Sequence, residues 1–446
     1  MEERNPMGYK PILPLLVSMA FPPMLSMLIQ SLYNIIDSIF VAKLGESALT
    51  AVSLIYPLQN LSLAFSCGVG IAMNALIARH LGANDPDKAS YVASQGMVMT
   101  LLHSLLFVVM GLFFIRPFVS LFSNQSDVIE YGVQYGLIVI TFTFGSFIHI
   151  AIEKMFQAVG NMITPMFMQL IGAVVNIILD PILIFGYFGL PALGVSGAAL
   201  ATIIGQFVAC FVSIGLFIHL HTPIHMSFKH FKIDFKVFKE LYSIALPSGM
   251  MMCLPSVLVS CLNGILSTVS QSAVAFFGVY YKLQTFVYMP SNGVVQGMRP
   301  LMSYNYGYQK RDRMDKILKT AGVCIFAILC AGTLLFILLP EPILKMFSAS
   351  DEMLVIGVSG LRILALGFVI SSFSIVMCGA LESLGFGHHS LVVSLLRQFI
   401  ITIPGAMFVL PMFGLNGVWW MFPISELIAG IVAFIFYENT YKRIEV

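Results

Sequence analysis

The chain carries little charge for its length. Only 10% of its 446 residues are Asp, Glu, Lys or Arg, whereas 58% are hydrophobic. Because about a quarter of the residues of an ordinary soluble domain are charged, this composition excludes that class. We expect an integral membrane protein whose surroundings are the lipid bilayer and which has no nucleic-acid partner.

The chain also lacks the short motifs of common enzymes. HExxH, GxSxG and GxxxxGK[ST] are absent, so an intramembrane enzyme is not expected. The seven cysteines lie in apolar segments without a CxxC pair, which is typical of core residues in a reduced protein. His219, His221, His225 and His230 have no Cys partners and no regular ligand spacing. We therefore expect no metal centre there and no bound cofactor.

Long apolar runs dominate what is present. About twelve stretches are long enough to cross roughly 30 Å of hydrocarbon as helices. They are continuous rather than alternating, which favours helices over a membrane barrel. The expected fold class is all-α, with twelve transmembrane helices in two pseudo-symmetric six-helix bundles. The predicted spans are 12–41, 47–79, 90–115, 131–157, 164–188, 195–219, 238–267, 273–304, 316–339, 353–382, 390–411 and 416–437.

The two halves of the sequence repeat each other at a constant offset. We call this the repeat offset, and it is the separation between Pro22 and Pro247. This register predicts an N-terminal lobe at 1–219, a linker at 220–239 and a C-terminal lobe at 240–446. Further pairs matched at the repeat offset include Tyr56 and Tyr281, Gln59 and Gln284, Gly160 and Gly385, and Phe188–Leu190 and Phe413–Leu415.

The basic residues predict the orientation. The polar segment Met1–Tyr9 lacks the features of a cleaved signal peptide, and an even number of spans places both termini on one side. Most Lys and Arg residues fall on that side, whereas Lys43, Arg116 and Lys345 fall opposite. The positive-inside rule then makes both termini cytoplasmic.

Asp37 and Asp180 are two acidic residues that lie inside predicted spans. An Asp at mid-bilayer costs about 2.5–3.5 kcal/mol on insertion scales unless it is compensated. Asp37 continues a polar helix face that begins at Gln30 and Asn34, and Asp180 has Asn176 one turn earlier. The directions of the first, fifth and sixth spans place Asp37, Asp180 and Thr202 at one level, in the outer half.

Two carboxylates close together in a low-dielectric site should take up a proton or coordinate Na⁺. Pro181 frees the carbonyl of Ile177 in the same neighbourhood, so Asp37, Asn176, Asp180 and Thr202 could together bind Na⁺. Asn34 is a further candidate for the coupling site. The residues do not choose between H⁺ and Na⁺. The alternative is that both acids only support helix packing, through hydrogen bonds to Asn34 and Asn176.

Four segments carry a resemblance to a known family. AFPPMLSMLIQSLYNIIDSIFVAKLG, GVGIAMNALIARHLGANDPDKA, NIILDPILIFG and GVSGAALATIIGQ resemble the multidrug and toxic compound extrusion (MATE) transporters, in particular the DinF-like and MepA-like branch. The resemblance implies two six-helix bundles around a V-shaped cavity, with drug export by alternating access that H⁺ or Na⁺ entry drives. It also implies a plasma-membrane location, a cation-site role for Thr202, and rearrangement of the first helix, where Pro22 and Pro23 could supply flexibility.

The second half departs from the branch that keeps acids there, since Leu262 and Asn263 stand where the first half has Asp37. A coupling site is therefore expected in the N-terminal lobe alone. Lys282 could pair with Glu426, repel cationic drugs or snorkel to an interface. The candidates for cavity lining are Gln30, Tyr33, Gln206, Lys282, Met289 and Glu426.

The expected function is cation-coupled antiport of amphipathic, often cationic, small molecules by a monomer. A related two-lobed flippase of lipid-linked precursors remains an alternative, because basic residues in the second half would suit anionic lipids. A structural or receptor role would leave the unequal charge of the two repeated halves unexplained.

Overall fold

The computed structural model describes residues 5–220, 222–227, 232–347 and 349–442. Over these ranges the chain is almost entirely helical and contains no β-strand. The expected all-α fold class is confirmed. Backbone hydrogen bonding explains the choice, since a helix satisfies its own polar groups within the hydrocarbon.

Fifteen α-helices make up the described part of the chain. They are α1 Ile12–Ala42, α2 Glu46–Gly82, α3 Pro86–Phe113, α4 Ile115–Phe122, α5 Ser126–Thr141, α6 Phe144–Ala158, α7 Ile163–Phe185, α8 Val195–His219, α9 Phe235–Leu266, α10 Gln271–Gly307, α11 Arg311–Leu338, α12 Pro340–Lys345, α13 Asp351–Ser383, α14 Gly387–Leu395 and α15 Ile403–Lys442. A π-helical segment, Leu396–Thr402, joins the last two.

All twelve predicted spans fall on these helices, with two differences in detail. The fourth span is broken between α5 and α6, where the axis bends by 41°. The last two spans lie in one helical stretch, Gly387–Lys442, which is interrupted at Gly414 with φ 62° and ψ −157°. Glycine tolerates that left-handed φ without the steric cost that a Cβ would bring.

The structure follows the sequence repeat element by element. α2 and α10 begin at 46 and 271, α3 and α11 at 86 and 311, and α4 and α12 at 115 and 340, so the repeat offset separates each pair. The two short helices α4 and α12 were not predicted, because helices so short cannot span a bilayer. Their matched positions show that they belong to the repeat.

The chain forms two compact units. The N-terminal unit comprises Leu25–Gly249, and the C-terminal unit comprises the residues up to Met24 together with those from Met250 onward. α1 and α9 therefore each contribute to both units. The boundary between the units falls after residue 24 in α1 and after residue 249 in α9, and these are equivalent positions of the repeat. The lobe boundaries at 219 and 240 remain predictions.

The N-terminal unit has an apolar core at each end. Val41, Ile55, Phe107 and Ile203 belong to the core at the end where α1 stops and α2 starts, which we call the Asp37 end. Met73, Met97 and Met155 belong to the core at the opposite end, where α2 stops at Gly82, which we call the Gly82 end. Buried polar side chains lie between the two cores and among them.

The described part of the predicted linker is attached to α3. The Gln95 side chain donates from Nε2 to the Lys232 carbonyl (2.7 Å) and accepts from the Asp234 amide (3.3 Å). The His225 amide donates to Ser90 Oγ at 3.0 Å. These bonds explain why the segment belongs to the N-terminal unit. His221 and His230 lie outside the described residues.

Candidate functional site

Asp37 and Asp180 come together in the N-terminal unit. Each lies in the last two turns of its helix, α1 or α7, at the Asp37 end. The two carboxylates are close enough to interact electrostatically. Asp180 has no exposed surface, and its Oδ2, like Oδ1 of Asp37, is buried without a hydrogen-bond partner in the part of the chain that the structure describes. Two neighbouring carboxylates of this kind must be compensated by a proton or a cation.

The two predicted asparagines behave differently. Asn176 is buried one turn before Asp180 and donates from Nδ2 to Asp180 Oδ1 at 3.4 Å, while its own Oδ1 stays unpaired. Asn34 is exposed on α1. The packing alternative thus describes part of the Asp180 environment, whereas Asp37 Oδ1 has no such bond. Two buried carboxylate oxygens, one each from Asp37 and Asp180, are left to accept a proton, and together with Asn176 Oδ1 they are left to bind a cation.

Tyr33 and Gln30 complete the α1 side of the cluster. Tyr33 lies close enough to interact electrostatically with both carboxylates, and the Gln30 side chain is within hydrogen-bonding reach of its hydroxyl. Gln169 of α7 donates from Nε2 to Gln30 Oε1 at 3.4 Å. The predicted polar face of α1 is therefore turned toward α7, the helix that carries Asp180.

The sequence did not single out Tyr135, although it belongs to the same site. This tyrosine of α5 is almost fully buried, is close enough to interact electrostatically with Asp37 and Asp180, and has Gln59 of α2 within hydrogen-bonding reach. Tyr56, on α2, interacts with Tyr33. The sequence repeat could have indicated the α2 residues, since Tyr56 and Gln59 recur as Tyr281 and Gln284. It carried none for Tyr135, whose equivalent is Gly360.

Thr202 and Gln206 lie on α8, which packs closely against α7. A Cβ added at Gly205 would lie 2.7 Å from the Gly172 carbonyl oxygen and 3.1 Å from Asn176 Cβ. This close approach places α8 beside the Asn176 turn. Thr202 Oγ1 donates to the Ala198 carbonyl at 3.0 Å, and Gln206 Oε1 is buried without a partner.

The C-terminal unit holds no acid at the position that corresponds to Asp37, where Leu262 is fully buried. Glu426 of α15 instead accepts from Arg397 Nη1, 3.2 Å from Oε1, and from Ser374 Oγ, 3.3 Å from Oε2. Arg397 is thus the partner of Glu426 that the sequence analysis had offered as Lys282, which is exposed on α10. Met289 is half-buried on the same helix.

Comparison with known proteins matches the repeat seen in the fold. The family model MatE matches residues 22–182 and again 247–408, and the two matches start at equivalent positions of the repeat. The chain belongs to the MATE family. MATE proteins are transporters rather than enzymes.

Relatives and solved structures agree along the full length of this MATE protein. It is 27% identical to the multidrug export protein MepA of Staphylococcus haemolyticus, over 96% of this chain and 93% of the relative. MepA of Staphylococcus saprophyticus is 26% identical, over 92% of this chain and 90% of the relative. A MOP superfamily transporter from Pyrococcus furiosus superposes with a TM-score of 0.91 at 23% identity, covering 100% of this chain and 99% of the other. A multidrug resistance MATE transporter in an outward-facing conformation superposes with a TM-score of 0.89 at 24% identity, covering 98% of this chain and 99% of the other. The structural likeness establishes the MATE fold.

Proposed function

We propose that this MATE protein is a cation-coupled antiporter whose coupling site is the Asp37–Asp180 cluster of the N-terminal unit. The observation that carries the proposal is the full burial of Asp180 beside a second carboxylate, with three side-chain oxygens left unpaired. Intramembrane acids are expensive and are functional by default. Because the two acids need a bound cation, binding and release of that cation can be coupled to the binding and release of an exported molecule.

The chemistry of the cluster follows from its donors. H⁺ binding would neutralise one carboxylate and let it donate to the other, while Na⁺ would use the oxygens of Asp37, Asp180 and Asn176, with Thr202 on the adjoining helix. Either ion removes the repulsion between the two acids. The α1 side chains that face α7 would then change their hydrogen bonds, because Asp37 belongs to the same helix face as Gln30 and Tyr33.

We further propose that the exported compounds are amphipathic and often cationic, and that the protein works as a monomer in the plasma membrane. The names of the MepA relatives support multidrug export. The distribution of Lys and Arg supports cytoplasmic termini, which would place the Asp37 end of the N-terminal unit toward the outside.

The test is dye efflux from proteoliposomes under an imposed pH gradient and, separately, an imposed Na⁺ gradient. We expect one gradient to drive efflux in the parent and Asp37→Asn to abolish it. Asp127→Asn is the matched control, because Asp127 is an exposed acid in the first turn of α5 in the same unit. Gradient-driven efflux that survives in Asp37→Asn would refute the assignment. No efflux under either gradient would favour the flippase alternative.

A further inference from the structure

A row of small polar side chains follows one face of α2 away from the coupling cluster. Gln59, Ser62, Ser66, Gly70 and Asn74 are spaced by three, four, four and four residues, which places them on one helix face. At 1.5 Å per residue the row is about 22 Å long. It begins beside Tyr135, at the Asp37 site, and approaches the Gly82 end of the N-terminal unit.

Ser62 and Ser66, the first two serines of this row, are buried. Ser62 Oγ is bonded to Thr143 Oγ1 at 3.0 Å, and Thr143 lies at the break between α5 and α6. Ser66 is 3% exposed, and its Oγ has no partner among the described residues. Buried hydroxyls normally bond to protein or to ordered water, so Ser66 marks a position where water would continue the row.

The row ends at a second group of polar and ionisable side chains, none of which belongs to the Asp37–Asp180 cluster. We call His149, Glu153, Lys154, Gln157 and Asn74 the inner cluster. Lys154 Nζ donates to Glu153 Oε1 at 2.9 Å and to Gln157 Oε1 at 3.0 Å, and Gln157 Nε2 donates to Glu153 Oε1 at 2.8 Å. Asn74 Nδ2 donates to the Lys154 carbonyl at 3.3 Å, and its Oδ1 is buried and unpaired.

His149 faces α8 from the same helix face as Glu153. Its Nδ1 lies 2.7 Å from Ser213 Oγ, and that hydroxyl donates to the Ala209 carbonyl at 2.6 Å. When the Ser213 hydroxyl donates to Ala209, Nδ1 of His149 donates to Ser213 Oγ, and Nε2 is the acceptor of the neutral ring. A second polar line reaches the inner cluster along α8, where Thr202, Gln206 and Ser213 share a face.

The helices around the inner cluster are shaped to accommodate it. A Cβ added at Gly70 would lie 2.6 Å from Lys154 Cγ, so the glycine leaves the space that the lysine stem occupies. His149, Glu153 and Lys154 act on one another and all belong to α6. α2 contributes the Asn74 amide and α8 contributes Ser213, while α3 and α7 contribute apolar side chains to the surrounding core, including Met97 and Met168.

A packing role explains this arrangement poorly. Replacing a buried ion pair by apolar residues of similar volume is often neutral or stabilising, so packing alone does not require a buried Glu, Lys and His together. Histidine and carboxylate chains are a recurrent means of moving protons within membranes. Na⁺ would need several oxygen ligands at each step and would meet the ammonium of Lys154.

We propose that the inner cluster is a proton-exchange site, through which H⁺ bound at Asp37 and Asp180 leaves the N-terminal unit at its Gly82 end. A proton reaching Nε2 of His149 gives an imidazolium whose charge Glu153 offsets, and loss of one proton to water restores the neutral ring. The inference rests on the proposed antiport and selects H⁺ as the coupling ion. It makes His149 and Glu153 further functional residues of that transport.

The test uses the full-length protein in proteoliposomes, with the pH on each side of the membrane varied separately. Dye efflux is measured for His149→Gln and Glu153→Gln, together with dye binding and thermal stability in detergent. We expect efflux about 10- to 100-fold slower, as for loss of a positioned proton-transfer group, and loss of the dependence on pH at the Gly82 side. Dye binding should stay near the parent value. Ser66→Ala, which leaves the charged groups intact, should slow efflux as well.

Glu382→Gln provides the matched control. Glu382 is a buried acid paired with Arg299 in the C-terminal unit, and its repeat equivalent is Gln157. We expect this variant to keep the parent pH profile even where its stability falls. The inference is overturned if the His149, Glu153 and Ser66 variants all keep the parent profile, or if only Na⁺ drives efflux. The Asp37→Asn variant separates the two proposals. If Asp37→Asn also retains gradient-driven efflux, the proposed coupling site is wrong. If Asp37→Asn loses efflux while the inner-cluster variants keep it, only the proposal for the inner cluster is wrong.

Discussion

At the scale of single residues, unpaired oxygens mark the proposed coupling site better than any motif does. Asp37, Asp180 and Asn176 each keep one buried oxygen without a hydrogen-bond partner among the described residues. Leaving such an atom unpaired costs roughly 1–3 kcal/mol. Three of them in one neighbourhood indicate a site that is completed by what it binds.

The hydroxyl of Tyr135 provides a residue-scale prediction. Tyr135→Phe removes a group that lies near Asp37 and within reach of Gln59, while the ring keeps its packing. A net hydrogen-bond contribution of about 0.5–1.5 kcal/mol corresponds to roughly 2- to 12-fold slower gradient-driven efflux. Tyr131→Phe is the control, since Tyr131 lies one turn earlier on α5 and is exposed. Equal efflux in the two variants would remove Tyr135 from the site.

The sequence was sufficient to single out the two acids as candidates and insufficient to single out Tyr135, for a physical reason. A charge within an apolar span stands out because it is costly, so Asp37 and Asp180 could be predicted. A membrane tyrosine is ordinarily a packing residue, and its role depends on partners from α1, α2 and α7. Glu153 and Lys154 of the inner cluster also lie within a predicted span and were not singled out. Their pairing with each other and the space that Gly70 leaves for the Lys154 stem are visible only in the structure.

At the scale of helices, α7 and α8 are held at close range by glycines. The predicted consequence is that Gly205→Ala strains the contact with the Gly172 carbonyl, which would lie 2.7 Å from the new methyl group. We expect a loss of about 1–3 kcal/mol in stability, together with weaker coupling, because Asn176 adjoins the contact. Thermal unfolding in detergent checks the first effect and dye efflux the second.

Gly215→Ala on the same helix is the matched control, because a Cβ at Gly215 meets no atom within 4 Å. Alanine there should preserve stability or raise it slightly, since alanine favours helix formation over glycine by about 1 kcal/mol. If both variants unfold at the same temperature, the close approach of α7 and α8 does not stabilise the unit.

Helix positions were more predictable than helix interruptions. Apolar length placed the predicted spans on helices, because every span must cross the same thickness of hydrocarbon. Within the described residues, nine helical stretches are long and apolar enough to cross a membrane, and α5 with α6 would make a tenth, so the count of twelve is approximate. The bend between α5 and α6 and the π-helical segment at Leu396–Thr402 left no comparable signal. Such irregularities are set by tertiary contacts, and they frequently occur at functional positions. Arg397 lies in the π-helical segment and pairs with Glu426.

At the scale of the whole molecule, one repeated architecture carries two unequal sets of charges. The helix starts and the family match follow the same repeat offset, yet the N-terminal unit has two neighbouring acids, whereas the C-terminal unit has Leu262 and Gly405 at their equivalent positions and pairs its Glu426 with Arg397. The pair is already neutralised within the protein, whereas the two acids are not. This difference is the reason for assigning ion coupling to the N-terminal unit.

The most direct test of that assignment is to record dye and ion movement together in the same proteoliposomes. With a dye gradient as the only driving force, the parent should move H⁺ or Na⁺ in the direction opposite to the dye, and Asp127→Asn should do the same. Asp180→Asn should show no ion movement coupled to the dye, although it still binds the dye. Coupled ion flux at the parent ratio in Asp180→Asn would contradict the account, because the ion would then cross the membrane without this carboxylate.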